Sequence, residues 1–413
     1  MHVAIITFGY PPLKHVSGTR PGNLARELTR LGHRVTVVTV DWSSRENPPL
    51  PASEGVHVLA IDPRAWFPGF APETPPLTTE PPFAGPVFLR KARTLQRTVR
   101  WGPYETWARA ALRGLFSRHR SAPVDVVWAI HGDDSSHEIA YRFSRATGVP
   151  WVADFKDPWD LFHKRAVVWL QELSTRRRLR TASALTETCK AQSDADAARF
   201  QLPSHVLWTG YEAEVMERAA PARLSDEAFV LAYVGNLAAL HDIDALARLF
   251  AAWEASPDRP ARVELHAFCN DAGALKQSLK AHGVLQYLHE HSFVPRERAY
   301  GIMKGADALL LLPATFSHPS GGSIGVKELE YLASGTPVLS LGKLLPELDP
   351  VARGCPQLVE AASTEDAVAW MVAEAAAPGR SRAEVNRPSV AEHAWPAKGK
   401  ALAAILEGVV KRR

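Results

Sequence analysis

The chain has 413 residues, a formal net charge of +4 and 46 % hydrophobic residues. That length exceeds what one core organises, so two domains are expected, and the apolar and charged content is that of a globular protein. No run approaches the ~18 apolar residues of a membrane-crossing helix, and the apolar start at residues 1–7 is too short for a secretory leader. A cytoplasmic protein is expected.

In chain order, residues 2–7 read as an apolar strand, 8–18 as a loop and 19–31 as a helix closed by Gly32. Residues 34–40 and 56–61 are further strands. The segment 63–86 is crowded with proline, which forbids regular helix or central strand, so it reads as an irregular surface insertion. Residues 90–120 look helical, with a break near Gly102-Pro103. Strand and helix then alternate through 124–130, 135–147, 150–154, 158–180, 182–187, 191–200 and 205–208. Residues 209–227 look like a crossing linker. The alternation restarts at 229–234 and continues through helix 243–255, strand 262–268, helix 272–282, strands 308–312 and 338–341, and helix 364–376. A last helix is expected over 390–411. Apolar runs joined by helices make parallel βαβ units. The expected fold is therefore α/β, with two doubly wound Rossmann-like domains, 1–208 and 209–390, facing across a cleft where a small ligand binds.

Cys189, Cys269 and Cys355 are odd in number and widely spaced, with no Cys-x-x-Cys. Neither a disulfide framework nor a zinc site is indicated, and three reduced, buried thiols are expected. Residues 89–120 hold Arg90, Lys91, Arg93, Arg97, Arg100, Arg109, Arg113, Arg118 and Arg120 against Glu105, interleaved with Trp101, Tyr104, Trp107 and Phe116. A second basic knot is Arg176, Arg177, Arg178 and Arg180. A solvated helix face and an anionic membrane surface are both compatible with this pattern, and no nucleic-acid partner is expected.

The most informative segment runs from Gly321 to Val338. Gly321, Gly322, Ser323 and Ile324 form a loop whose amides can approach a phosphate, and the helix that follows adds partial positive charge. Lys327 and Glu330 share one helix face. A cation and a carboxylate beside such a loop suit a nucleotide diphosphate, Lys for phosphate and Glu for ribose hydroxyls. Gly235, Asn236 and His241 stand between a strand and a helix, another anion-binding arrangement. Tyr10 and Gly18 lie in the equivalent first turn of the chain, and Arg20 at that helix start calls for an anion or acid opposite it.

His131 follows a strand and precedes a glycine, well placed for a ligand. Asp154 and Asp157 could handle an acceptor hydroxyl, and Asp157 before Pro158 could equally cap a helix. Asp194 and Asp196 form an Asp-x-Asp inside a predicted helix, a weak metal site. No metal and no cofactor are expected.

Together these residues resemble glycosyltransferase family 4, retaining enzymes of the GT-B fold, over nearly the whole chain. The resemblance is carried by Leu329-Glu330-Tyr331-Leu332-Ala333-Ser334-Gly335-Thr336-Pro337-Val338. A subgroup with a Lys three before the Glu, here Lys327, also resembles this chain at Gly235-Asn236-Leu237 and at Ala153-Asp154-Phe155-Lys156-Asp157-Pro158-Trp159. Gly322 stands where the family often has a Glu that touches the donor sugar.

The resemblance implies a metal-independent hexosyl transfer from a nucleotide sugar to a glycan, lipid-linked or small-molecule acceptor in cell-surface polysaccharide biosynthesis. It implies transfer on one face of the sugar, with the leaving phosphate oxygen taking the acceptor proton. His131, Lys327 and Asp157 would be catalytic. Gly18, Gly235, Asn236, His241, Gly321, Gly322, Ser323, Ile324, Lys327 and Glu330 would bind the donor, and Tyr10, Asp154 and Asp157 the acceptor. The last helix would return to the N-terminal domain. On the membrane reading of their charge pattern, with a solvated helix face as the alternative, residues 89–120 would meet the inner face of the plasma membrane. A nucleotide-sugar 2-epimerase or a non-catalytic sugar-nucleotide binder are the alternatives.

Overall fold

The computed structural model describes residues 1–13, 16–43, 55–63, 93, 95–96, 99–132, 134–159, 168–237, 241–257, 259, 262–269, 271–312 and 325–412. The chain divides into two units, one of Met1–Trp208 with Trp395–Arg413 and one of Thr209–Ala394.

Unit 1 alternates β1 (His2–Ile6), α1 (Val16–Arg30), β2 (Arg34–Val40), β3 (Val56–Ile61), α2 (Glu105–Ser121), β4 (Val126–His131), α3 (Asp134–Thr147), β5 (Trp151–Phe155), α4 (Val168–Leu179), β6 (Ala182–Glu187), α5 (Lys190–Phe200) and β7 (Ser204–Val206). The strands form one parallel sheet in the order β3-β2-β1-β4-β5-β6-β7. The central strands are buried along their length because helices cover both faces, which is why they read as continuous apolar runs. Trp107, Leu115 and Phe143 fill one face. Leu24, Leu28, Leu402 and Leu406 fill the other, so the C-terminal helix belongs to this unit. The strand order reverses between β1 and β4, the place where doubly wound sheets bind ligands.

Unit 2 opens with α6 (Ala213–Arg218), then β8 (Phe229–Val234), α7 (Ile243–Ala255), β9 (Val263–Phe268), α8 (Gly273–Ala281), β10 (Leu288–His291), α9 (Arg296–Gly305), β11 (Ala308–Leu311), α10 (Val326–Ser334), β12 (Val338–Ser340), α11 (Asp349–Arg353), β13 (Leu358–Glu360), α12 (Thr364–Ala376) and α13 (Pro388–Ala391); α14 (Trp395–Lys411) closes the chain. Its parallel sheet has the order β10-β9-β8-β11-β12-β13, reversing between β8 and β11. Gly335 ends α10 in the left-handed conformation at φ 73°, where a side chain would also collide with the Ala383 carbonyl.

The structure corrects several expectations. Residues 209–227 are not only linker, because α6 lies within them and buries Met216. The last expected helix is two, α13 and α14, since His393 and Ala394 turn between them. Residues 283–305 add β10 and α9 to the expected elements. The proline-rich stretch lies largely outside the described residues. All three cysteines are free and buried.

Trp101, Tyr104 and Trp107, which the membrane alternative would use as interfacial anchors, face the core. Burial of apolar ring area outweighs display at the surface. Arg178 of the second basic knot is also buried, paired with Asp134 and Glu138. Asp194 on α5 pairs with Lys190 of its own helix. Among the described residues no helix is long and apolar enough to cross a membrane.

Candidate functional site

Unit 2 brings Gly235, Lys327 and Glu330 to the carboxyl end of its central strands. β8 ends at Val234, whose amide donates to the Tyr331 hydroxyl of α10 at 2.7 Å, fixing that helix to the strand end. The Lys327 ammonium donates to the Tyr233 hydroxyl and lies 4.3 Å from that ring's centre. Its stem passes over Gly235, where a Cβ would come within 2.8 Å of Lys327 Cε, and Gly235 sits at φ +141°. Only glycine leaves room for both the backbone turn and the lysine. Burial pulls Lys327 down to about 8, against the support of the Glu328 and Glu330 carboxylates and the Cys269 thiol.

Glu330 is buried on the inner face of α10. Its Oε1 accepts from Tyr300 Oη at 2.8 Å and from Arg296 Nη1 at 2.5 Å. Burial pushes its carboxyl up, while Arg296 and the Tyr300 hydroxyl act in the opposite direction. Arg296 also faces Glu212 at 3.4 Å. Beside this carboxylate opens a pocket of ≈ 120 Å³ lined by Gly235, Phe268, Phe293, Arg296, Tyr300 and Glu330. Phe293 is 70 % exposed, an apolar ring presented at the pocket rather than withdrawn from water.

The remaining donor-site residues are placed unevenly. Asn236 is exposed and its carbonyl accepts from the Tyr233 hydroxyl at 2.9 Å. His241 stands just before α7, which Asp242 caps through the Ala245 amide. Gly321, Gly322, Ser323 and Ile324 lie outside the described residues. Gly18 is buried in α1 of unit 1, where a Cβ would meet the Leu13 carbonyl at 3.2 Å and the Tyr10 backbone at 3.3 Å, so its glycine lets the preceding loop fold down.

In unit 1, Asp154 is fully buried and gripped by Arg20 through two hydrogen bonds of 2.7 and 3.1 Å, with Thr186 Oγ1 donating at 2.7 Å. This is the acid that Arg20 at a helix start requires, and it makes Asp154 a support for α1. Tyr10 is buried too, its hydroxyl pushed up to about 12 by burial, and it lines a pocket of ≈ 370 Å³ with Asp41 and Trp42. Asp157 is partly exposed and sits 3.5 Å from Lys156.

His131 ends β4 with Nε2 3.5 Å from Asp134 Oδ1, and its ring packs against His137 and Phe155. Burial alone would raise Asp134. The Arg178 guanidinium at 2.9 Å, with His131, holds it well below the usual carboxylate range.

The sequence reading missed Tyr233, Arg296, Tyr300 and Phe293. Tyr233 was hidden inside an apolar run. Arg296 and Tyr300 stand one helical turn apart behind Pro295, a signal that could have marked α9.

No protein-family model matches the chain, and no curated protein does. Solved structures do. Sucrose-phosphate synthase from Thermosynechococcus elongatus superposes with a TM-score of 0.69 at 12 % identity, over 100 % of each chain. HepE of Anabaena, in complex with UDP and glucose, superposes at 0.55 and 13 % identity, over 98 % of this chain and 99 % of that one. The chain has the GT-B fold. A UDP-N-acetylglucosamine 2-epimerase from Listeria monocytogenes, so described only provisionally, shares the architecture at a TM-score of 0.51 and 12 % identity, over 98 % of this chain and 95 % of that one.

Proposed function

We propose that this chain is a retaining glycosyltransferase similar to family 4, with unit 2 binding a nucleotide-diphosphate sugar and unit 1 holding a glycan, lipid-linked or small-molecule acceptor of cell-surface polysaccharide assembly. One observation carries the reading. A half-buried lysine, held over a glycine at φ +141° at a strand's carboxyl end, stands beside a carboxylate that borders an apolar pocket.

Each part suits a piece of the donor. The pocket beside Phe293 takes the flat base. Glu330 takes the ribose hydroxyls, while Arg296 and Tyr300 hold its other lone pairs. Lys327 meets the diphosphate, with Gly321, Gly322, Ser323 and the amides after Gly235 supplying further donors, Asn236 and His241 among them. As the sugar–phosphate bond breaks, charge grows on the diphosphate, and groups already oriented toward it stabilise the transition state without reorganising. The leaving oxygen takes the acceptor proton on the same face, so the transfer asks for no strong protein base and no metal at the diphosphate. His131 and Asp157 of unit 1 would orient sugar and acceptor hydroxyls, with Tyr10 bordering the acceptor side. Contact with an anionic membrane rests on the arginines of residues 89–120 alone, since the aromatic partners Trp101, Tyr104 and Trp107 are inside.

Epimerisation at C2 of a nucleotide sugar is the second reading, favoured by the Listeria neighbour. Incubation of the protein with UDP-, GDP- and dTDP-sugars, with and without glycan acceptors, separates them. Free nucleoside diphosphate plus glycoside supports transfer. An epimerised nucleotide sugar formed without acceptor replaces it. Binding that raises thermal stability with no turnover reduces the chain to a sugar-nucleotide binder.

A further inference from the structure

A second group of chemically competent side chains stands on the outer edge of the unit 2 sheet. β9 carries Glu264-Leu265-His266 and β10 carries His289-Glu290-His291, with His289 the register partner of His266. Alternate residues of a strand share a face. Val263, Leu265 and Ala267 enter the core with Leu246 and Leu275 of the covering helices. Glu264, His266, His289 and His291 are therefore gathered on the opposite face.

Their geometry is that of a ligand set. His266 Nε2 is 3.1 Å from Glu264 Oε2, and His289 Nε2 is 4.0 Å from the same oxygen. One ligand atom from each of the three residues lies within 4.8 Å of the other two. Zinc bonds of about 2.0–2.2 Å in a tetrahedron set ligand atoms about 3.3 Å apart, so small rotamer changes close the set on an ion.

The surroundings fit as well. Arg262 approaches the other carboxylate oxygen, Oε1, at 3.2 Å and leaves Oε2 to the histidine side. His291 Nε2 stands 2.9 Å from His266 Nδ1, the outer hydrogen bond that fixes a ligating imidazole's tautomer and orientation. Glu264 and His266 are buried, whereas the His289 side chain is 41 % exposed, which leaves one side for water as a fourth ligand. The His266 ring stacks on the His289 and His291 rings with centres 4.7 and 5.1 Å apart.

We propose that Glu264, His266 and His289 bind a divalent transition-metal ion of the zinc class, with His291 as the residue that positions His266. Two imidazoles and one carboxylate favour zinc, cobalt or nickel over magnesium or calcium. The ion ties the edge strand β10 to β9. The His291 ring lies 4.2 Å from Phe268 and parallel to it, and Phe268 lines the pocket beside Glu330. The site is thus a clasp behind one wall of that pocket, apart from Lys327. It stands whether or not the chain transfers sugars.

The test uses the untagged, chelator-treated full chain titrated with zinc chloride by calorimetry, with folding of every variant checked by circular dichroism. One saturable site per chain is expected. Glu264→Gln and His289→Gln should each weaken it by at least ~10-fold, and His291→Gln by about 10- to 100-fold as an outer-shell change does. His33→Gln, at a histidine of unit 1, should leave it unchanged. His289 is exposed enough for its replacement to leave the fold intact. Zinc should raise the melting temperature of the parent chain but not of His289→Gln. The proposal is overturned by the absence of a saturable site in the parent chain. Undiminished affinity in both Glu264→Gln and His289→Gln, which would put the zinc on other histidines, also overturns it.

Discussion

Two arginine–carboxylate pairs stand near the carboxyl ends of the two sheets, and they differ in one respect that decides their work. Arg20 and Asp154 of unit 1 expose 3 % and 0 % of their side chains, with Thr186 completing the set. Arg296 and Glu330 of unit 2 expose 36 % and 12 % and border a pocket. The chemistry is the same. The buried pair has no route to a ligand and can only hold α1 to β5. The half-open pair can exchange partners with one. A carboxylate at a strand end is thus no guide to function until its exposure is known.

The comparison breaks most sharply through stability. Asp154→Ala leaves Arg20 charged and unpaired inside unit 1, which should cost about 3–5 kcal/mol. Arg296→Ala removes the more exposed partner of its pair and leaves Glu330 the Tyr300 hydroxyl, so it should cost less than Asp154→Ala, while weakening nucleotide binding. Denaturant unfolding of both variants checks this, and equal losses would erase the distinction.

Next in size is Lys327→Ala. A hydrogen bond to a charged group contributes about 1.5–3 kcal/mol, so transfer should slow by about 10- to 100-fold. Steady-state rates with the donor found in the nucleotide-sugar screen measure it, and unchanged turnover would remove Lys327 from the mechanism.

Gly235→Ala sharpens the same point. Its Cβ would lie 2.8 Å from Lys327 Cε on a backbone at φ +141°. Strain of about 1–3 kcal/mol is expected, with a displaced lysine and weaker donor binding. Because the two residues touch, the double variant with Lys327→Ala should lose less affinity than the two single losses added together. Calorimetry of the four proteins tests it, and strict additivity would show that the glycine acts independently of the lysine.

The smallest effect is on pH. Lys327, lowered by burial to about 8, loses its charge in the free protein as pH rises through that value. Nucleoside diphosphate affinity should fall from pH 7 to pH 9 in the parent chain and stay flat in Lys327→Ala. The unfolded amine keeps its proton up to 10.5, so between 8 and 10.5 this residue's contribution to stability rises with pH. A parallel pH profile in the variant would contradict the assignment.

The sheet strands and most helices were legible because buried parallel strands read as unbroken apolar runs, as in Val126–His131 and Phe229–Val234. The edge strand β10, Leu288–His291, was not, since its polar side chains give no such run. Helix α9 escaped because half of its residues are polar and its apolar side is short. Lys327 and Glu330 were legible through their spacing and their glycine-rich neighbourhood. Their partners Tyr233, Arg296 and Tyr300 were not, because a hydrogen bond between residues 94 apart, as from Lys327 to Tyr233, leaves no local pattern. The aromatic residues of 89–120 stayed ambiguous for a related reason. Periodicity marks an apolar stripe but does not say whether protein or lipid covers it.

A crystal structure of the chain with a nucleoside diphosphate tests the central claim most directly. The diphosphate should lie within hydrogen-bonding distance of Lys327 Nζ beside Gly235, with the pentose hydroxyls on Glu330 and the base against Phe293. Well-defined nucleotide bound anywhere else, with Lys327 still on Tyr233 and Glu330 still shared only by Arg296 and Tyr300, would contradict it.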